Sequence, residues 1–205
     1  MKTPIISIVD DEEDVRDALS LLLRSMDYKV QSFKSAYDYW NQYDIEQPGC
    51  LILDVRMPRM SGIELQLEIN KLEYHPPIIM ISGHGELTMA VNTLRAGALD
   101  FLQKPISEQL LLERVQQALI RDQEDRKTFK KFIEIQFCYY KLTARERQVL
   151  GHIITGCLNK VIAGNLKLST RTVEIHRARV MEKMQAKSVA ALMRKITILE
   201  EHHII

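Results

Sequence analysis

The sequence predicts two parts of different class: an α/β part built on a five-stranded parallel, doubly wound sheet, followed by an all-α part. Three observations predict them. In the first half, short apolar runs alternate with longer amphipathic stretches, and in the second half only helical segments separated by Gly or Ser follow. Charge divides the same way. Residues 1–120 carry 11 basic and 18 acidic side chains, net −7, and residues 141–205 carry 12 and 5, net +7, within a chain of overall charge +1.

The strand-length runs are Ile5–Val9, Tyr28–Phe33, Cys50–Leu53, Pro77–Ile81 and Leu99–Leu102. After the first, Val15, Leu19, Leu22 and Leu23 recur at helical spacing. After the third, Ile63, Leu65, Leu67, Ile69 and Leu72 do so more loosely, behind Ser61 and Glu64, which form the pattern of a capping box. Strands that alternate with helices in this way pair in parallel through crossover helices, giving the order βαβαβαβαβα. Residues 121–140 hold 5 basic and 4 acidic side chains and no Pro or Gly, which predicts a mostly helical linker. Thr143 and Glu146 then make a second capping box, opening a helix that runs to Thr155 and ends at Gly156. Helices are expected near 159–166, 170–184 and 188–201. The domains are therefore 1–120, a helical linker 121–140, and 141–205.

At 205 residues, 46% hydrophobic and 27% charged, the composition is that of an ordinary globular protein with room for two small domains. No apolar run reaches the roughly 18 residues of a membrane helix, and no leader pattern opens the chain, so a cytoplasmic protein without membrane contact is expected. Cys50, Cys138 and Cys157 are odd in number and far apart, which fits neither a metal site nor a disulfide framework.

An open parallel sheet binds its ligand beyond the carboxyl ends of its strands. The polar residues of the first part fall there. Asp10 and Asp11 follow the first strand, Asp54 ends the third, Ser82 ends the fourth and Lys104 follows the fifth. Carboxylates gathered so closely repel unless a cation sits among them. Hard oxygen ligands in a small open site suit Mg²⁺. A carboxylate can also act as nucleophile toward a phosphoryl group, whose oxygens then need the metal, a cation and a hydroxyl donor around them. Lys104 and Ser82 supply the last two.

Four segments, Val9-Asp10-Asp11, Leu53-Asp54-Val55-Arg56-Met57-Pro58, Ser82-Gly83-His84-Gly85 and Phe101-Leu102-Gln103-Lys104-Pro105, resemble those of the receiver domains of bacterial two-component systems, which have a flavodoxin-like fold. The resemblance spans about Ile5 to Ile120. It implies that Asp54 accepts phosphate from a sensor histidine kinase. It also implies that Asp11, Asp54 and the Arg56 carbonyl hold Mg²⁺ with Asp10 assisting through water. Lys104 matches the phosphoryl-binding lysine, and Ser82 and Phe101 match the pair that shifts inward after phosphorylation. Many receivers have Thr at the position of Ser82, but the hydroxyl is retained. Arg56 and His84, each two residues beyond a site residue, sit where a side chain can reach attacking water.

In the second part, Asn159 to Met184 reads as two helices joined by a short turn at Leu168-Ser169, the helix-turn-helix pattern, with Ser169 capping the second helix. At about 100° per residue, Val173, Val180 and Met184 fall on one side of that helix and Arg171, Glu174, Ile175, Ala178 and Arg179 near the other. On a major groove, Glu174 suits a cytosine amine, Arg171 a guanine, and Ile175 or Ala178 a thymine methyl. Lys160, Thr172, His176 and Arg177 suit the phosphate backbone. Val189, Leu192, Met193, Ile196 and Leu199 form a stripe on the last helix, available either to the core or to a second copy.

Over Lys141 to Ile198 these residues resemble the LuxR-type helix-turn-helix, through Leu142-Thr143-Ala144-Arg145-Glu146-Arg147, Asn159-Lys160-Val161-Ile162-Ala163 and Arg171-Thr172-Val173-Glu174-Ile175-His176-Arg177. With its receiver, the chain resembles the FixJ-type response regulators. Glu174 to Ala186 and the pair Cys138-Tyr139 are also similar to tetrathionate-response regulators.

The resemblance implies phosphorylation that reshapes a receiver face, pairing of two chains, and binding of double-stranded promoter DNA, with RNA polymerase as a further partner and no enzymatic turnover beyond phosphorylation and dephosphorylation of Asp54. Two other classes remain open. One is a phosphorylation-controlled protein-binding module. The other is an aspartyl-phosphate hydrolase, against which stands Arg56, where such enzymes usually carry a second Asp.

Overall fold

A strand buried at every position cannot be an edge with one wet face, and Gly49–Asp54 is buried along its whole length. It lies at the centre of the sheet. The computed structural model, which describes residues 2–83 and 87–205, places it as β3. Around it run β1 (Ile5–Val9), α1 (Glu13–Ser25), β2 (Lys29–Phe33), α2 (Ala36–Gln42), α3 (Gly62–Ile69), β4 (Ile78–Ser82), α4 (Leu87–Arg95), β5 (Asp100–Gln103) and α5 (Glu108–Tyr140). The strand order is β2-β1-β3-β4-β5, and every pair is parallel. The order reverses direction between β1 and β3, which places the ligand crevice at their carboxyl ends.

Alternation along the strands fills both faces. Ile6, Ile8, Cys50, Ile52, Ile79 and Ile81 pack with Leu19 and Leu23 of α1 and with Leu111, Val115 and Ala118 of α5. Leu51, Leu53, Ile78 and Met80 pack with Tyr39 of α2 and with Leu65 and Ile69 of α3. The expected capping box is present at α3, with Ser61 and Glu64 bonded reciprocally. The loose periodicity of this helix has a cause: Leu67 is exposed and Leu72 lies past the helix end.

The second unit holds α6 (Ala144–Ile154), α7 (Asn159–Leu166), α8 (Thr170–Lys183) and α9 (Val189–Glu201). Thr143 and Glu146 form the second capping box. Gly156, at φ +75°, follows the end of α6. The core of this unit includes Val149, Leu150, Ile153, Ile162, Val173, Val180, Met184, Leu192, Ile196 and Leu199. Of the α9 stripe, Leu192, Ile196 and Leu199 lie in this core, whereas Val189 is exposed and Met193 half-buried.

The chain divides into compact units Met1–Lys127 and Thr128–Ile205, a division that falls inside the stretch read as a linker. That stretch is helical, but it also contributes buried residues to both units. Phe132, Ile135 and Cys138 of α5 are buried in the second unit. In the first unit, buried Asp122 accepts hydrogen bonds from Gly49 N at 3.1 Å, Arg126 Nε at 3.0 Å and the Tyr74 hydroxyl. Arg126 in turn donates to the carbonyls of Ile45, at 2.8 Å, and Gln47. All three cysteines are free, and among the described residues no helix is long and apolar enough to cross a membrane.

Candidate phosphoryl site and nucleic-acid interface

Parallel pairing brings the ends of β1, β3, β4 and β5 level, so residues far apart in sequence meet. The Lys104 ammonium is the hub. Its Nζ lies 2.7 Å from Asp10 Oδ2, 2.8 Å from Asp54 Oδ1 and 3.0 Å from Glu12 Oε1. Asp10 and Asp54 are buried. The second oxygen of Asp54 accepts from Arg56 N at 2.7 Å, and the second oxygen of Asp10 from Glu12 N at 2.9 Å. The backbone N–H of Lys104 donates to the Ser82 carbonyl at 2.8 Å, which sets the lysine beside β4.

Burial raises the Asp54 pKa above the usual carboxylate range, helped by the charge of Asp10 and opposed by the Lys104 hydrogen bond. For Lys104, burial opposes the charge, but the bonds to Asp10, Asp54 and Glu12 together outweigh it and raise its pKa. Among the described ion pairs, Lys104 is shared by both buried carboxylates, and a divalent ion would add positive charge beside them.

Asp11 is exposed on the rim, next to Asp10, and Arg16 donates to the carbonyls of both at 3.0 and 2.8 Å. Among the described residues, no group of three His, Cys, Asp or Glu side chains gathers as a metal cluster. The buried carboxylates of Asp10 and Asp54 are hard oxygen donors, a chemistry that suits Mg²⁺ with its retained waters. Ser82 is buried at the end of β4, and Phe101 is half-buried against the α2–α3–α4 side of the sheet with Met89 of α4. His84 lies outside the described residues.

Sequence reasoning missed Gly62, Glu12 and Arg16. A Cβ on Gly62 would lie 2.0 Å from the Asp54 carbonyl oxygen, so only glycine lets α3 start this close to β3. The pairing of acidic residues in Asp10-Asp11-Glu12 was the available signal for Glu12. Nothing in the local pattern marked Gly62.

In the second unit, α7 ends at Lys167 in the left-handed conformation, and Ser169 then caps α8 by accepting from Thr172 N at 3.0 Å. Thr172 is half-buried with its hydroxyl 2.8 Å from that of Ser169. Val173, Val180 and Met184 are buried, while Arg171, Glu174, Ile175, Ala178 and Arg179 are exposed together on the other side of α8. Arg177 is half-buried. His176 is half-buried too, and its Nδ1 is enclosed without a hydrogen-bond partner among the described residues. Lys160 is exposed and Asn159 half-buried at the start of α7. Glu146, buried beneath α8, receives Lys183 Nζ at 2.7 Å and ties that helix to the start of α6.

Comparison with known proteins agrees with both halves. The model of the response regulator receiver domain matches residues 6–116, more than half of the chain, and that of the luxR family of bacterial regulatory proteins matches residues 140–196. The response regulator protein TodT of Pseudomonas putida is 42% identical over 94% of this chain and 85% of its own. The transcriptional regulatory protein FixJ of Rhizobium meliloti is 40% identical over 92% and 93%. The tetrathionate response regulatory protein TtrR of Salmonella typhimurium is 37% identical over 93% and 90%. Among solved structures, the response regulator StyR aligns over 97% of this chain and 99% of its own, with TM-score 0.79 and 39% identity. The chain thus belongs to the two-component response regulators of the FixJ type, a receiver domain joined to a LuxR-type DNA-binding domain.

Proposed function

We propose that this response regulator takes a phosphoryl group on Asp54 from a sensor histidine kinase and, once phosphorylated, pairs with a second copy and binds promoter DNA. The observation that carries the first half is the Lys104 ammonium held between buried Asp10 and Asp54 at the carboxyl ends of three strands. An Asp54 oxygen attacks phosphorus, the P–N bond to the kinase imidazole breaks, and that nitrogen leaves with the bonding pair. Lys104 neutralises the phosphoryl oxygens, and Ser82 donates its hydroxyl to one of them. Asp11, Asp54 and the Arg56 carbonyl would hold Mg²⁺, with Asp10 acting through water, and the ion supplies charge neutralisation at the phosphoryl group. Ser82 and Phe101 then move inward. That movement reshapes the face of α4, β5 and α5, on which two receivers pair.

The exposed face of α8 enters a major groove. Arg171, Glu174, Ile175, Ala178 and Arg179 face bases, while Asn159, Lys160, Ser169, Thr172, His176 and Arg177 position the domain on phosphates. The net charge of +7 over residues 141–205 supports a polyanionic partner. We assign signalling to residues 1–120 and DNA binding to 141–205, place the protein in the cytoplasm, and take RNA polymerase as a partner at its promoters. Its chemistry stops at gain and loss of the Asp54 phosphoryl group.

The test is selection of bound sequences from random duplex DNA with and without Mg²⁺ and beryllofluoride, at one stated salt concentration. Enrichment of a twofold-related site chiefly with the mimic, lost in Asp54→Asn, is the expected result. No enrichment in any condition from folded protein overturns the transcriptional reading.

A further inference from the structure

Helix α5 is apolar on two sides. Phe132, Ile135 and Cys138 are buried in the second unit, whereas Ile133, Phe137 and Tyr140 are 39%, 61% and 56% exposed. Exposed Lys130 precedes Ile133 on the same stripe. The spacing along the stripe is three, four and three, the repeat of a coiled-coil seam. We propose that this stripe pairs with the same stripe of a second copy, as a short parallel coiled coil along α5. The proposal rests on the reading that phosphorylation pairs two chains, and adds to it a contact outside the receiver.

A second copy fits for three reasons. The other apolar stripe of this unit, on α9, buries Leu192, Ile196 and Leu199 in its own core and leaves Val189 exposed and Met193 half-buried, a smaller face than that of Ile133, Phe137 and Tyr140. With two α5 helices parallel and in register, Glu134 meets Phe129 and Lys141 meets Gln136 across the seam, so no like charges oppose each other at the flanks. Lys130 meets its own mate and limits the seam on that side. The third reason is size. Three partly exposed side chains offer about 300 Å² per copy, since a whole aromatic side chain buries about 150–250 Å², and stable interfaces take about 800 Å² per partner. The seam is too small to hold two chains by itself. It closes when the receivers have already brought the helices to high effective concentration, and so makes pairing of the DNA domains conditional on phosphorylation.

The full chain with Cys157→Ser, leaving only the two buried native cysteines, is given Phe137→Cys or, as a control, Glu200→Cys, and mildly oxidised with Mg²⁺ and beryllofluoride. Disulfide-linked dimers through position 137 and not through position 200 are expected. In sedimentation equilibrium of the same activated state, Phe137→Glu is expected to raise the dimer dissociation constant tenfold or more, with melting temperature and Asp54 phosphorylation unchanged. Absence of the position-137 cross-link, or a dimer constant within twofold of wild type, overturns the proposal. So does a Phe137→Glu variant whose only change is tighter DNA binding without phosphorylation, since that assigns the stripe to its own chain's receiver. A wild type that stays monomeric with the mimic refutes phosphorylation-driven pairing, and the cross-link then decides the helix contact alone.

Discussion

Lys104 works at the scale of single atoms, because two buried carboxylates share its charge. Lys104→Met leaves Asp10 and Asp54 facing each other, and should cost the receiver on the order of 2–3 kcal/mol in Mg²⁺-free buffer, from the uncompensated buried charge. Millimolar Mg²⁺ should return part of that loss by binding the folded state. Urea unfolding followed by fluorescence of Trp40, the only tryptophan and one that sits in the first unit, measures both. Gly62→Ala should destabilise the same unit by about 2–4 kcal/mol, because the added carbon meets backbone that has nowhere to go. Asp10, Asp54, Ser82 and Lys104 were legible because parallel pairing brings the carboxyl ends of the strands level. Gly62 was not, because a close approach between a helix start and a distant strand leaves no mark in the sequence around it. The position of Asp11 on the rim was equally hidden, since adjacency to Asp10 does not say which carboxylate turns inward.

Elements carry the second set of predictions. The cap of α8 is a single hydroxyl, so Ser169→Ala should lower the stability of the second unit by about 1 kcal/mol and weaken DNA binding several-fold through fraying of the first turn. Far-UV circular dichroism is the suitable probe, since that unit has no tryptophan. Glu146 is the acid-sensitive point. Burial alone would raise its pKa, but bonds from Lys183 and Thr143 outweigh burial and lower it below the ordinary 4.5. Its contribution to stability is therefore complete above about pH 4.5 and is lost as pH falls through the lowered folded value. Lys183→Met should make that loss smaller and complete at higher pH, and remove about 1–3 kcal/mol at neutral pH, as read from helix melting at stepped pH. Both capping boxes were legible, as were α6 to α9 within a residue or two, because Ser, Thr and Gly punctuate them. The role of Lys183 was not, as a surface-looking lysine on a basic helix gives no hint that its partner lies 37 residues earlier.

At the scale of the whole molecule, the charge division was legible from counts alone, but the division into units was not. A segment without Pro or Gly and dense in charge looks like a solvated connector, yet Asp122 and Phe132, ten residues apart in it, are buried in different compact units. Asp122 sits beyond residue 116, where the receiver family match ends, and three chain segments close on it: the start of β3 through Gly49, the approach to β4 through Tyr74, and Arg126 on its own helix. A receiver cut free at residue 120 would thus be missing a keystone. Its Gly49 N–H and Tyr74 hydroxyl would lose their acceptor, and the carbonyls of Ile45 and Gln47 their donor. Such a fragment should melt several degrees below one that ends at Lys127, in thermal scans of the two side by side. The receiver's natural edge is then a hydrogen-bonded carboxylate on the helix that leads out of it, and an effector domain grafted onto this receiver should be joined after Lys127.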